Sequence, residues 1–472
     1  MLFHSLNYFR VTTRLFVVVC LSLLSTKVDA STTIKHLQTM LNELGFKAGS
    51  ADGIAGKNTT KALQSFYAES SISVPSNQFR SLEAVYDQYR LQTGKTVFDI
   101  YESSAFGLDR NINTFPETHF GNLNKIQGIP KKGWFGLNRC QVNISPDQIG
   151  ILLGFLKSDD RRDFQTVATN PKDFSKNGMT ARGTYTKYVQ TRAMDVLINN
   201  EASSKKQLLE LFMNYAKADA FGWYSGSNSY NVKYNDTYGL KAVLTPTLAA
   251  WSILLADHEI TNSQNNDIIN DWIWRVLNRV DYVHGNQPEE MGNNNNQRYM
   301  LAVNLMQIGL LYRSEYFVHR AIYEATKVGS HMNNDGSLPL ELTRGSRSLQ
   351  YTGHASVSLM ALAELASTIG YDLYENDQVK LKKFMSFYLS ALHDPSIIKS
   401  YTKVSQKALK DWRYGSVSPY CIRYPDADHC IVNHKYNVIT PFKRKYHGRL
   451  MGYDAMINQC VNWLMWEADS FD

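Results

Sequence analysis

The feature that most constrains the fold is a long succession of apolar segments with helical spacing, running from residue 144 to near the C-terminus. Strand-like alternation of apolar and polar residues is scarce in this region, and loops join segments of similar length. Many consecutive helices of similar length predict antiparallel helix pairs, arranged as a toroid, a solenoid or an irregular bundle. The predicted helical segments are 185–199, 206–218, 245–257, 266–280, 298–311, 314–328, 354–369, 378–392 and 451–465.

The start of this series has good helix-initiation signals. Ser145 is suited to cap a helix, Pro146 to occupy its first turn, and Gln148 to complete a capping box. We therefore predict one large, mainly α domain over residues 141–472, and the loops between its helices are where polar side chains gather.

Residues 1–30 have the pattern of a cleaved signal peptide. Arg10 and Arg14 precede an apolar run over 15–24, and Val28-Asp29-Ala30 offers small residues at the cleavage positions. This run is too short to span a bilayer comfortably, and no later segment is long and apolar enough to do so. We expect a secreted or periplasmic chain that begins near Ser31 and has no membrane span.

Charge and length restrict the possible functions. The formal charge of +7 falls to +5 without residues 1–30, a mild excess that fits an acidic ligand without requiring one. Dispersed basic residues and the absence of a recognised module argue against nucleic-acid binding. The length predicts at least two domains. We expect no cofactor and no metal ion, and a monomer.

Four cysteines follow the predicted signal peptide, an even number that favours disulfides in an exported chain. Cys421 and Cys430 bracket a short polar segment and are the favoured pair, whereas Cys140 and Cys460 could join the two ends of the large domain. A zinc site that uses cysteines with His429 and His434 is the alternative, although the spacing matches no standard zinc module.

Residues 31–92 form a separate pattern near the N-terminus. Helical spacing ends at Gly45, a turn rich in Gly and Asp follows, and further helices are predicted over Thr59–Tyr67 and around 82–90. The characteristic residues are His36-Leu37-Gln38, Leu44-Gly45-Phe46, Asp52-Gly53-Ile54-Ala55-Gly56, Thr59, Ala62-Leu63 and Phe66.

This string resembles the peptidoglycan-binding family of three-helix modules, and the Asp-Gly-x-x-Gly-x-x-Thr turn is its most specific part. The resemblance implies non-catalytic binding to cell-wall glycan or peptide. An unrelated helical hairpin with a glycine turn is the alternative. Residues 93–140 show weak periodicity and are predicted to connect this module to the large domain.

Two segments of the large domain carry a second resemblance. Residues 293–299 read NNNNQRY and open an apolar helix, and residues 335–354 read DGSLPLELTRGSRSLQYTGH. Together they resemble the alginate lyase family of (α/α) toroid polysaccharide lyases, clearly over 290–370 and more weakly over 190–470. In that family an Asn-Asn-His motif opens one helix, and a D-G-x-L-P-x-E-L-x-R-x-x-R segment leads to a catalytic Tyr. The resemblance implies a toroid fold and β-elimination of an alginate-like polyuronate.

The chain departs from the family pattern at two positions. Gln297 stands where the family has the His of its Asn-Asn-His motif, and His354 stands where the family has its Tyr. Tyr351 lies one turn earlier and could be the displaced phenol. Either the roles are redistributed, or the branch acts on another uronate, or it has lost catalysis.

Chemistry assigns provisional roles to these residues. Uronate β-elimination needs donors that neutralise the carboxylate, a base for the C5 proton, and an acid for the leaving oxygen. We predict Asn296, Gln297 and Arg347 as neutralisers, at a helix start that favours an anion and through a bidentate guanidinium. His354 at the start of the following helix would have a lowered proton affinity and act as base, with Tyr351 as acid.

Further side chains are predicted to bind the polysaccharide, by stacking on sugar rings in an aromatic loop over 221–241 or by contacting carboxylates through a basic cluster over 435–449. For each of them, packing within its loop or solvation is the alternative. The predicted substrate-binding residues are Trp223, Tyr224, Tyr230, Tyr234, Arg344, Lys443, Arg444 and Arg449.

The leading function is therefore a secreted polysaccharide lyase held at the cell wall by its N-terminal module. A catalytically inactive protein that binds acidic polysaccharide or cell wall is the alternative. A glycoside hydrolase is the third possibility, because hydrolysis needs two facing carboxylates and only Asp335 and Glu341 are candidates in the motif.

Overall fold

The computed structural model describes residues 32–70, 78–95, 201–221, 234–256, 263–285, 295–407 and most of 416–430, with single residues between 185 and 200. All regular elements in these ranges are helices, so the predicted mainly α fold class is confirmed. Several predictions lie outside the described residues: the signal peptide at 1–30, the helix start at Ser145, most of the connecting region, Cys140, Cys460 and the helix at 451–465.

The N-terminal region contains three helices, α1 (Thr32–Glu43), α2 (Lys57–Ser70) and α3 (Gln78–Thr93). Gly45 ends the first helix with φ +93°, and Phe46 N–H donates to Leu41 O at 2.7 Å, as expected for a glycine C-cap. The Phe46 and Phe66 rings meet edge to face at 5.5 Å. The three predicted helices are present, each longer than its apolar pattern indicated.

The Asp-Gly turn of this region is organised around the buried side chain of Gln38. Its Nε2 donates to Asp52 Oδ1, Ile54 O and Thr59 Oγ1, each at 3.0 Å, and its Oε1 accepts from Gly53 N–H at 2.9 Å. One amide therefore joins α1, the turn and α2. This explains why the Gln, Asp, Gly and Thr of the motif occur together.

The helices described in the larger region include both long and short elements. They are α4 (Ala202–Lys217), α5 (Tyr234–Leu255), α6 (Ser263–Gly285), α7 (Asn296–Tyr312), α8 (Glu315–His331), α9 (Pro339–Leu342), a 3₁₀ turn (Gly345–Arg347), α10 (Ser348–Ser367), α11 (Leu381–His393), α12 (Ser396–Thr402) and α13 (Val417–Arg423). Helix α7 packs against both α8 and α10, so these three helices carry most of the geometry discussed below.

Helix α5 begins eleven residues before the predicted start at 245. The prediction placed residues up to 241 in a loop, but Tyr234 is the first residue of the helix, and Pro246 lies inside it. A proline removes one backbone hydrogen bond and need not end a helix whose other contacts are apolar. Here Val243, Leu244 and Leu248 are almost completely buried, and this burial stabilises the helix across the proline.

Two glycines allow close packing around α8. A Cβ added to Gly309 would lie 2.7 Å from Val318 Cγ2, where α7 and α8 meet. A Cβ added to Gly329 would lie 1.7 Å from Gln378 O, at the segment that precedes α11. Side chains at these positions would separate the helices, since heavy atoms cannot approach that closely.

Aromatic side chains form much of the core between α4, α5 and α6. Trp272 lies between Phe212 and Phe221, stacks on the Phe221 ring at 6.0 Å and donates its indole N–H to Ala220 O at 2.8 Å. Phe221 belongs to the predicted aromatic loop, but it is buried and packs on the core. For this residue the packing alternative is correct.

A buried ion cluster joins α7 and α8. The Arg298 guanidinium contacts Glu324 through Nε, and Arg320 Nε lies 3.6 Å from the other oxygen of the same carboxylate. Burial alone would raise the pKa of Glu324, but the charges of Arg298 and Arg320 outweigh it and lower the pKa. The cluster is satisfied within the protein and is therefore structural.

Cys421 and Cys430 form a disulfide at the end of α13, with their Cα atoms 5.2 Å apart. This is the pair that the sequence favours. In the ranges that the structure describes, no helix has the length and apolarity needed to cross a membrane. The same ranges contain no group of three or more His, Cys, Asp or Glu residues arranged to hold a metal ion.

Candidate active site

The start of α7 presents three consecutive amide side chains. Asn295 caps the helix, accepting Gln297 N–H at 3.0 Å through its side-chain oxygen, and its carbonyl accepts Arg298 N–H at 2.9 Å. Asn296 N–H donates to Glu341 Oε1 at 2.6 Å. The first three N–H groups of the helix are thus already bonded within the protein.

This arrangement corrects one part of the sequence interpretation. We expected the helix dipole at the start of α7 to favour a substrate anion, but the carboxyl group that accepts from this helix start is that of Glu341. Asn296 and Gln297 can still donate to a substrate, and they must do so through their side-chain amides.

Glu341 is completely buried and binds Asn296 with both of its oxygens. Besides the backbone bond, Asn296 Nδ2 donates to Glu341 Oε2 at 3.0 Å. Burial raises the pKa of Glu341 to about 7, although the Asn296 hydrogen bonds and the nearby Arg344 charge lower it. The Glu341 carboxyl group, which takes up its proton near neutral pH, is therefore hydrogen-bonded to Asn296, one of the predicted neutralising residues.

Lys241 of α5 holds the neighbouring amide. Its Nζ donates to Gln297 O at 3.0 Å and to Gln297 Oε1 at 3.4 Å, and its side chain is fully buried. Because Lys241 Nζ donates to the oxygen end of the Gln297 side-chain amide, the Nε2 group is at the other end, away from this contact. Burial also holds the pKa of Lys241 well below its usual range.

The Asp-Gly-Ser part of the second motif is a tight turn. Asp335 Oδ1 accepts from Ser337 N–H at 3.0 Å and from Ser337 Oγ at 2.7 Å, and Gly336 has φ +93°. A Cβ at Gly336 would lie 2.3 Å from Lys383 O in α11, so only glycine fits. These residues therefore shape the chain in this part of the motif.

The segment before α10 is fixed by residues near 406. Gln406 Oε1 accepts Leu349 N–H at 3.0 Å in the first turn of α10, while its Nε2 donates to Gly345 O at 3.1 Å. Lys407 N–H also donates to Ser346 O at 2.8 Å. These bonds hold the 3₁₀ turn on which Arg347 lies.

Helix α10 brings the predicted acid, base and guanidinium to one face. The Tyr351 and His354 rings are 5.6 Å apart, and the Arg347 guanidinium lies 5.7 Å from the Tyr351 ring centre. Arg344 lies closer to that ring, at 4.8 Å. The spacing of four and three residues therefore produces the shared face expected of a helix, without a break at Gly353.

The position of His354 in the helix differs from the prediction. We expected His354 at a helix start, where the dipole would lower its proton affinity, but α10 begins at Ser348, almost two turns earlier. The dipole effect falls off within the first turn, so the expected dipole at His354 is absent.

Six of the predicted substrate-binding residues lie outside the described residues: Trp223, Tyr224, Tyr230, Lys443, Arg444 and Arg449. Tyr234 is described only as the first residue of α5. The structure adds Glu341, Lys241 and Gln406, which sequence analysis did not select as site residues. Glu341 was visible as part of the motif, whereas Lys241 and Gln406 are distant in sequence and carry no local signal.

The structure places amide side chains at the start of α7, and guanidinium, phenol and imidazole groups on α10 and the turn before it, in two helices that pack against each other. Residues 165–398 match the Alginate lyase family, and residues 31–68 match the family described as "Putative peptidoglycan binding domain". The two family models thus match the two regions in which the sequence motifs lie.

Individual relatives agree with this assignment. The chain is 28% identical to an alginate lyase from Pseudomonas syringae pv. syringae, covering 35% of this chain and 45% of the relative. It is 27% identical to a polysaccharide lyase from Stenotrophomonas maltophilia (strain K279a), covering 36% and 50%, and 29% identical to an alginate lyase from Pseudomonas fluorescens, covering 40% and 49%.

Coverage of these relatives is partial. The chain spans about half the length of the curated relatives that it matches. Among solved structures, alginate lyase A1-III from Sphingomonas species A1 is similar with a TM-score of 0.48 and 21% identity, covering 58% of this chain and 76% of that one.

Proposed function

We propose that this protein is a secreted polysaccharide lyase that cleaves a uronate-containing, alginate-like glycan by β-elimination. The observation that carries the proposal is the contact of Tyr351 with both Arg347 and His354, along α10 and the turn before it. The same motif contains Glu341, which accepts from Asn296 of α7. The family assignment of this region and its similarity to named alginate and polysaccharide lyases support the same reaction.

In the proposed reaction the substrate carboxylate is bound by the side-chain amides of Asn296 and Gln297 and by Arg347. These donors stabilise the charge that moves onto the carboxylate when the C5 proton leaves. His354 takes that proton, the electron pair forms the C4–C5 double bond, and the C4–O4 bond breaks. Tyr351 gives its proton to the departing oxygen, so that proton and charge balance within the site.

The contacts of Tyr351 and Gln297 fit these roles. The guanidinium groups of Arg344 and Arg347 lie 4.8 and 5.7 Å from the centre of the Tyr351 ring and restrain the phenol on this side. The Lys241 contact fixes the carbonyl end of Gln297 and leaves its N–H₂ group as the outward donor. Gln297 can therefore replace a neutral histidine as a hydrogen-bond donor.

The decisive experiment is incubation of the purified chain with a panel of polyuronates, followed by ultraviolet absorbance of the unsaturated uronate product. Mass spectrometry of the products distinguishes the two carbohydrate-cleaving reactions, because hydrolysis adds a water molecule and elimination does not. A rise in absorbance with one polymer supports the lyase and identifies its substrate. Sugar release without absorbance would instead favour hydrolysis.

We also propose that the N-terminal domain holds the enzyme at the cell wall. Its match to a peptidoglycan-binding family and the ordered turn around Gln38 support this role. The full chain should sediment with purified peptidoglycan, and deletion of residues 31–92 should abolish sedimentation while leaving polyuronate cleavage. Equal sedimentation of both forms would contradict the proposal.

A catalytically inactive polysaccharide-binding protein is the second candidate. The Gln297 and His354 departures from the family pattern favour it, because both replace residues to which the family assigns catalysis. Binding of a polyuronate in calorimetry, without any unsaturated product after long incubation, would select this function over the lyase.

A further inference from the structure

The contacts of Glu341 suggest a role that the proposed reaction does not yet include. Its side chain is fully buried, and the hydrogen bonds described for its two oxygens both come from one residue, Asn296. Capping the helix requires only the backbone bond. The second bond, from Nδ2 at 3.0 Å, restrains the side-chain amide and has no function in capping.

We propose that Glu341 is a positioning residue that fixes the orientation of the Asn296 amide toward the substrate carboxylate, an inference that rests on the proposed function. An amide side chain can rotate by half a turn and exchange its oxygen and nitrogen. When Glu341 is ionised its oxygens can only accept, so Nδ2 faces Glu341. The second Nδ2 hydrogen and Oδ1 then occupy fixed places on the outward side of Asn296.

The position of Glu341 explains why this restraint would be effective. It lies in α9, three residues before Arg344 and six before Arg347, so the same short segment orients the amide of α7 and carries the guanidinium groups that contact Tyr351. The site around Asn296 and Glu341 is buried, where electrostatic interactions are stronger than in water. A misdirected donor in such a place costs more than one at the surface.

The test compares Glu341→Gln with Asn296→Ala and the double variant in the full chain, at a pH above the Glu341 pKa of about 7. Glutamine keeps the size of the side chain but turns one acceptor into a donor. Either Asn296 rotates its amide, or the backbone N–H of residue 296 loses its acceptor. Glu364→Gln on α10 is the matched control, because Glu364 is also buried but accepts from Tyr374.

We expect Glu341→Gln to lower kcat by about 10²-fold with a smaller rise in KM, because the misplaced amide affects the transition state most. The double variant should be no slower than Asn296→Ala, since both changes remove the same interaction. Glu364→Gln should retain kcat. Fully multiplicative losses, or a folded Glu341→Gln variant with wild-type kcat, would overturn the proposal.

A second readout separates this proposal from the proposed function. Neutron structures of the wild type and Glu341→Gln, in which deuterium marks the amide nitrogen, show whether the Asn296 amide has turned, even if no polyuronate is cleaved. A rotated amide, or an unrotated one whose Nδ2 still donates to the oxygen of the introduced glutamine, supports the positioning role. An unrotated amide whose Nδ2 faces the glutamine nitrogen contradicts it. If glutamine prevents folding, Glu341→Asp retains the charge but shortens the reach, and the same two outcomes apply.

Discussion

The titration of Glu341 gives a quantitative prediction for stability. In the folded protein its pKa is about 7, raised from the ordinary value of 4.5 by burial. A carboxyl whose folded pKa is raised binds its proton more tightly when folded, so its contribution to stability is fully present below pH 4.5 and is lost as pH rises through 7. A shift of this size corresponds to about 3 kcal/mol.

The perturbation is Glu341→Gln, which cannot ionise. The free energy of unfolding of the wild type minus that of the variant should fall by about 3 kcal/mol between pH 4.5 and pH 7. Urea denaturation followed by tryptophan fluorescence measures it. The sequence has no tryptophan within 31–92, and Trp251, Trp272 and Trp274 are buried in the larger region, so the signal reports that region.

Glu324→Gln is the matched control with the opposite sign. The arginines around Glu324 lower its pKa in the folded protein, so its stabilising contribution is present at higher pH and is lost on acidification. The two difference curves should therefore slope in opposite directions. A flat curve for Glu341→Gln, or two curves with the same slope, would refute the reasoning from burial and charge.

Three further predictions follow from the site and the fold. His354→Ala should lower kcat by about 10²–10⁴-fold with little change in KM, whereas Arg347→Ala should impair both parameters. Steady-state kinetics on the cleaved polyuronate distinguish the two variants. Wild-type kcat in His354→Ala would exclude the imidazole as base. Mass mapping without reduction should recover Cys421 linked to Cys430, and free thiols at both would contradict the disulfide. Gly329→Ala should destabilise the larger region by about 1–3 kcal/mol in denaturation experiments, because the added Cβ would lie 1.7 Å from Gln378 O. Wild-type stability of this variant would show that the backbone can shift.

Helix prediction succeeded where apolar periodicity extends through a whole element. The segments predicted at 298–311 and 314–328 correspond to α7 and α8 within three residues at each end. Helix starts that lack a regular apolar pattern were harder to predict. The sequence interpretation placed the helix of His354 at 354–369, but α10 begins at Ser348, since Gln406 supplies an acceptor to its first turn from a distant part of the chain.

The sequence by itself determined the mainly α class, the two family motifs, and the grouping of Arg347, Tyr351 and His354. Each of these depends on residues close together in the chain, which periodicity and spacing record directly. Only the tertiary structure decided that Glu341 occupies the start of α7 and that Lys241 fixes the Gln297 amide. Both contacts join residues more than forty positions apart, and burial, which controls their protonation, exists only once the helices have packed.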